Sequence, residues 1–160
     1  MATSGSILGN SVLRREDPTL ITGAGKYFDD LHFDGMLHVH FVRSTVAHGI
    51  ITGIDTSEAE SMPGVRKVYT HANIGLADFQ AFPMMPTELN RPVLARDRVR
   101  FVGDIVAAVV ADSKAQAVDA GEAIVVDIDA LPAVTTPTAA AAPGAPLLFP
   151  EFGSNVCFAT

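Results

Sequence analysis

The 160-residue chain has a single cysteine, Cys157. A lone thiol excludes an internal disulfide and any zinc or iron–sulfur site that draws several cysteines from this chain. Basic residues are also scarce. Eleven Lys and Arg against eighteen Asp and Glu leave a formal net charge of −7, the wrong sign for a nucleic-acid binder, which needs clustered cations. No apolar run reaches the ~18 residues of a membrane span. The opening MATSGSILGN lacks the basic region and apolar core of a secretory signal. These absences point to a reducing, cytoplasmic setting. Tryptophan is absent as well, which decides nothing. What remains is 48% hydrophobic, enough apolar side chain for a real core, and the length suits one domain with or without a tail.

The strongest local signal is RPVLARDRVRFVGDIVAAVVA, residues 91–111. A polar, Arg-rich entry leads into a stretch apolar at every position from Ile105 to Ala111. Such a run reads as a strand buried on both faces, because an exposed face would show polar residues at alternate positions. Ser113, with Gln116 three residues on, marks the start of a helix over 113–123, whose face of Ala117, Ala120, Gly121 and Ile124 suits close packing on a sheet. In the strand 124–129, Val126 and Ile128 alternate with Asp127 and Asp129, leaving one wet face. Upstream, Asp34-Gly35 signals a tight turn before the alternating strand 37–42, with Leu37, Val39 and Phe41 assigned to the core. A strand over 50–54, a helix 57–62 capped by Thr56 or Ser57 and stopped by Pro63-Gly64, and a strand 65–70 complete a first β-α-β unit.

Residues 76–92, with Pro83, Pro86 and Pro92, read as a long exposed, lid-like loop. The Pro/Ala-rich segment from Thr135 to Pro150 reads as an extended connector rather than a helix, since prolines remove backbone donors. The expected layout is a flexible 1–12, a domain over 13–134, and a connector with the start of a further domain over 135–160. The expected core comprises Val39, Phe41, Ile54, Val68, Ile105, Val106, Val109, Val110, Ala117, Ile124, Val126 and Ile128. The tail's Leu147, Leu148, Phe149, Phe152, Val156 and Phe158 are expected to be mobile or to form a homodimer.

Several clusters invite a chemical reading, and each has a plainer one. His38 and His40 share a strand face and lie near His32 and His48, but a metal site needs three or four converging ligands. Strand histidines more often face another domain or solvent. Gly23-Ala24-Gly25-Lys26 lacks the first glycine and the Ser/Thr of a phosphate loop and the third glycine of a dinucleotide fingerprint, so it reads as a turn. Asp30 to Phe41 imitates a calcium loop at its first, fifth and sixth positions, yet Phe41 stands where a bidentate Glu is required. Arg14, Arg15, Arg91, Arg96, Arg98 and Arg100 could bind an anion, or could pair with the excess carboxylates or with a neighbouring subunit. Cys157, between Val156 and Phe158, reads as a small apolar residue facing a partner surface.

As strings, several segments in one order carry a resemblance. These are RREDP (14–18), LITGAGKYFDD (20–30), FVRSTVAHGII (41–51), AESMPGV (59–65), the 91–111 stretch and VDIDALPAV (126–134). Together they resemble the N-terminal α/β hammerhead domain of the molybdenum hydroxylase large subunit, found in xanthine dehydrogenase, aldehyde oxidase and carbon monoxide dehydrogenase. Gly49 replaces the family's Ala, and Ile128-Asp129 its Tyr-Glu. The resemblance implies an α+β fold, a single hammerhead domain with a mixed sheet and a few helices. It implies a non-catalytic scaffold with no catalytic, cofactor or metal residue on this chain, inactive alone. The molybdopterin-binding domains would lie elsewhere, and iron–sulfur and FAD-bearing subunits would be the partners. The alternative is a free-standing protein- or ligand-binding module that borrows the fold.

Overall fold

The computed structural model describes residues 14–80 and 82–158. It comprises two compact units, Met1–Met36 and Leu37–Thr160; the expected flexible 1–12 lies outside the described residues.

In the first unit, helix α1 (Asp17–Ile21) carries Pro18 in its first turn, where the missing N–H has no intrahelical role. Gly23 ends the helix at φ 71°, and the N–H groups of Ala24 and Gly25 both donate to Thr19 O at 2.9 Å. The glycine run is therefore a helix terminator. Its amides are already engaged and do not cradle a phosphate. The Asp30 carboxylate accepts the Tyr27 N–H at 2.9 Å and caps a 3-10 turn over Phe28–Asp30. Met36 N–H donates to Phe33 O at 3.1 Å, closing the turn expected at Asp34-Gly35.

The second unit runs β1 (His38–Arg43), β2 (Gly49–Asp55), α2 (Ser57–Ser61), β3 (Val65–Thr70), α3 (His71–Ile74), β4 (Arg98–Val99), β5 (Ile105–Ala111), α4 (Lys114–Glu122), β6 (Val125–Ala130) and α5 (Pro137–Ala140). The strands form two sheets, ordered β1-β5-β3 and β4-β2-β6, and every pairing is antiparallel. The hammerhead-type α+β class stands, but the expected mixed sheet becomes two antiparallel ones. The reason lies in the crossovers. The α2 connection is shorter than the dozen or so residues a parallel return needs. β5 already has neighbours on both edges, so β6 must pair with β2 instead. α2, α3 and α4 thus each lie on a connection that carries the chain from one sheet to the other.

β5 is the buried strand its apolar run implied, with Val106, Ala107, Ala108, Val109 and Ala111 all buried. On α4, Ser113 Oγ accepts the Gln116 N–H at 3.3 Å and donates to the Gln116 side-chain oxygen at 2.8 Å. One core cluster holds Ala59, Val68, Ala107, Val109, Ala120 and Ile124. A second holds Ala95, Val99 and Val106, and Ile54 and Val126 touch both. Val126 and Ile128 are half-buried while Asp127 and Asp129 face water, as their alternation required.

β1 is inverted relative to its sequence reading. Val39 is 53% exposed and Phe41 43%, while His38, His40 and Val42 are the half-buried set. Register explains it: His40 pairs with Val109, which pairs with Val68 on the other side, and these two are fully buried. The imidazole fits there because α4 presents Gly121. A Cβ on that glycine would stand 2.4 Å from His40 Cδ2. Val39 and Phe41 then share the opposite face with half-buried Tyr69 and Val110.

The segment expected to be an extended connector contains α5, with Pro137 at its start and Thr136 Oγ1 accepting the Ala139 N–H at 3.2 Å. The proline that seemed to forbid a helix begins one. Leu147, Leu148, Phe149 and Phe152 are half-buried within the second unit, whereas Val156 and Phe158 stay exposed. The first four are thus partly covered inside the chain.

Thr56 stands at the N-cap of α2, as expected, but its side chain makes no cap hydrogen bond. Asp55 Oδ1 accepts the Ser57 N–H at 2.9 Å and the Ser57 hydroxyl at 2.6 Å. The Ser57 hydroxyl and then its backbone N–H hold the Asp55 carboxyl below its ordinary value of 3.8. A carboxyl lowered in the folded state contributes stability above its unfolded pKa and loses it as pH falls through the folded value. Asp55→Asn is therefore expected to flatten the fall of Tm on acidification below about pH 4, read by thermal melts at several pH values. Identical acid profiles for the two proteins would refute this assignment.

Candidate functional site

The chemistry-bearing side chains gather around the Arg-rich entry to β5, and the backbone sends the arginines in different directions. Arg96 Nε donates to His71 Nε2 at 2.8 Å, and its Nη2 bonds both Asp78 carboxylate oxygens at 2.8 and 3.0 Å. Arg98 Nη1 lies 2.9 Å from His48 Nε2. His48 is only 3% exposed, and its Nδ1 lies 3.0 Å from Pro132 O. A guanidinium only donates, so Nε2 accepts and Nδ1 carries the proton toward the carbonyl. Arg100 Nε donates to Leu148 O at 3.0 Å, and its guanidinium lies 4.6 Å from the Phe149 ring centre. Arg91 lies 5.2 Å from the Phe101 ring centre.

These arginines do not converge on an anion. Arg96, Arg98 and Arg100 each join parts of the fold distant in sequence. Arg14 and Arg15 are exposed in the first unit, as is His32. Sequence reasoning missed His71 and Asp78 because neither stands at any motif spacing from Arg96; only the fold brings them there. Burial lowers the pKa of Arg100, with Asp97, Asp104 and Glu151 opposing that effect and Arg98 adding to it.

Two hollows flank Arg96. One, of about 400 Å³, lies along the β2 bulge and is lined by Thr52, Gly53, Thr70 and His71 among others. The other, of about 350 Å³, is polar and includes Asp78, Glu88, Asp97, Arg100 and Glu151. Among the described residues, no three His, Cys, Asp or Glu side chains stand close enough to hold a metal ion. His40 faces α4 instead, and Asp30 is occupied as a cap. Cys157 is exposed beside a small hollow that Phe149 and Val134 help to line. No helix among the described residues is long and apolar enough to cross a membrane. The loop 76–92 is tied down more than a free lid would be: Phe79 and Arg91 exchange backbone bonds of 2.6 and 3.2 Å, and Leu89 is 6% exposed.

Comparison with known proteins agrees with this architecture. The family model described as "Aldehyde oxidase and xanthine dehydrogenase, a/b hammerhead domain" matches residues 22–132. The chain is 45% identical over 136 residues to the nicotine 6-hydroxylase large subunit of Paenarthrobacter nicotinovorans, covering 82% of this chain and 17% of that protein. Among solved structures, the aldehyde oxidoreductase of Desulfovibrio gigas matches with a TM-score of 0.77 at 38% identity, over 94% of this chain and 17% of that one. The Cu,Mo-CO dehydrogenase matches with a TM-score of 0.75 at 38% identity, over 93% of this chain and 19% of that one. The chain thus spans less than a fifth of the length of these relatives. By sequence and by fold alike, it belongs to the aldehyde oxidase and xanthine dehydrogenase a/b hammerhead family.

Proposed function

We propose that this chain is the scaffold part of a molybdenum hydroxylase large subunit and contributes no catalytic, cofactor-binding or metal-binding residue itself. The observation that carries the reading is the use of its polar groups. Arg96, Arg98, Arg100, His48 and His71 are spent on joining distant parts of the fold. The residues present do not suit an iron–sulfur cluster, because no ligand set converges among those described and the sequence has one thiol. The hammerhead proper would run over 13–134, with 135–160 leading toward the cofactor-bearing domains. Iron–sulfur and FAD subunits would be more distant partners, in the cytoplasm. The apolar face of Val39, Phe41, Tyr69 and Val110 supports a domain built to be covered by others.

The test is a graft. This chain would replace the matched 136 residues of the nicotine 6-hydroxylase large subunit, and the product would be assayed for molybdenum and for turnover. A scaffold predicts a hybrid that keeps its metal and its host's reaction, while the 160-residue chain alone, expressed in the same cells, purifies without molybdenum. Stoichiometric molybdenum on the chain alone, or a metal-loaded hybrid without turnover, would refute the proposal.

A further inference from the structure

Among the described residues, hydrogen bonds tie the segment after β6 to the sheets at two places. At its start, Leu131 N–H donates to His48 O at 2.8 Å and the His48 ring bonds Pro132 O. Farther on, Arg100 grips residues 148 and 149. Between and beyond these points the segment is ordered by its own bonds. The Asn155 side chain accepts the Leu148 N–H at 3.1 Å and donates to Ala140 O at 3.1 Å and Pro146 O at 2.9 Å. Gly153 N–H bonds back to Phe149 O and Pro150 O. The segment is a self-knotted strap.

We infer that Arg100 is the latch of this strap: its guanidinium closes residues 146–156 onto the turn between β4 and β5, and His48 serves as the hinge. The latch is firmly mounted. Arg100 N–H donates to Asp104 Oδ2 at 3.0 Å, and Asp104 N–H donates to Phe101 O at 3.1 Å, so the turn cannot carry the guanidinium away. The grip is directional as well as electrostatic. One guanidinium N–H meets a carbonyl while the planar group lies against an aromatic face, which a lysine ammonium cannot reproduce together. Partial burial of Arg100 strips water from the group and strengthens both contacts. Opening would also remove one wall of the polar cleft, since Glu151 rides on the strap while Asp78, Glu88, Asp97 and Arg96 stay with the body.

Nitrogen-15 relaxation on the full chain tests this. In the wild type, amides 147–156 are expected to be as rigid as those of β5, with order parameters of about 0.85; in Arg100→Ala they fall below about 0.6 while β5 stays unchanged. Arg100→Lys is expected to behave like Arg100→Ala, because charge alone does not make the latch. A strap that stays rigid in Arg100→Ala would overturn the inference. So would rigidity retained in Arg100→Lys, or loosening that spreads equally into β5.

Discussion

Leu94→Ala is expected to lower the stability of the chain by about 3–4 kcal/mol, within the range for fully buried leucines. Leu94 is 1% exposed and is among the largest of the fully buried side chains. Its neighbour Ala95 is 2% exposed and donates its N–H to Ile105 O at 2.7 Å, so the backbone is fixed and cannot collapse into the space left behind. Domains of this size hold on the order of 5–15 kcal/mol in total, so the loss should be visible as a large shift in the urea midpoint. Val93→Ala is the control: that side chain is 43% exposed and its loss should cost well under about 1 kcal/mol. Equal effects at the two positions would mean that the Arg-rich entry to β5 is not part of the core.

Gly49→Ala is expected to cost about 2–3 kcal/mol, at the upper end for overpacking. A Cβ there would stand 2.4 Å from Ile128 Cγ2 and 2.9 Å from Asp129 O. The first contact is with the branch at Cβ of Ile128, the second with backbone, so neither neighbour can swing aside. Adding Ile128→Leu removes the branch and should recover part of the loss, leaving the share due to the carbonyl. A double-mutant cycle by denaturant unfolding would show this coupling, and strictly additive effects would contradict it. Gly49 and Ile128 are therefore one sterically coupled pair rather than two independent positions.

How far the sequence disclosed this fold varied by element, for physical reasons. The β5 run, the Ser113 cap and the alternation of β6 were legible because each pattern has one structural solution. The β1 pattern had two. Val39 and Phe41 look like core residues, and only the register with Val109 and the bare surface of Gly121 place His40 inside instead. β4 is two residues long and α3 and α5 four each, too short for any period to show. Leu89 was missed as core because it lies within the proline-rich loop, and Leu94, Ala95 and Val99 because they follow that loop and show no alternation. The arginine cluster was visible as composition, but its division among His71, His48 and the strap arises from tertiary structure alone.

The order in which the strands pair also sets when they can pair. β1 finds its partner only in β5, and β2 pairs with β4 and β6. On a ribosome adding about 5–20 residues per second, β1 must wait on the order of several seconds for β5 to emerge, with its backbone edge and its face of His38, His40 and Val42 uncovered. Such distant pairings also make for slow closure in free solution, because the connecting loop must be confined before any contact is gained. The nascent chain is thus most exposed to unwanted association between the synthesis of Arg43 and that of Ala111. A chaperone has most to do in that interval.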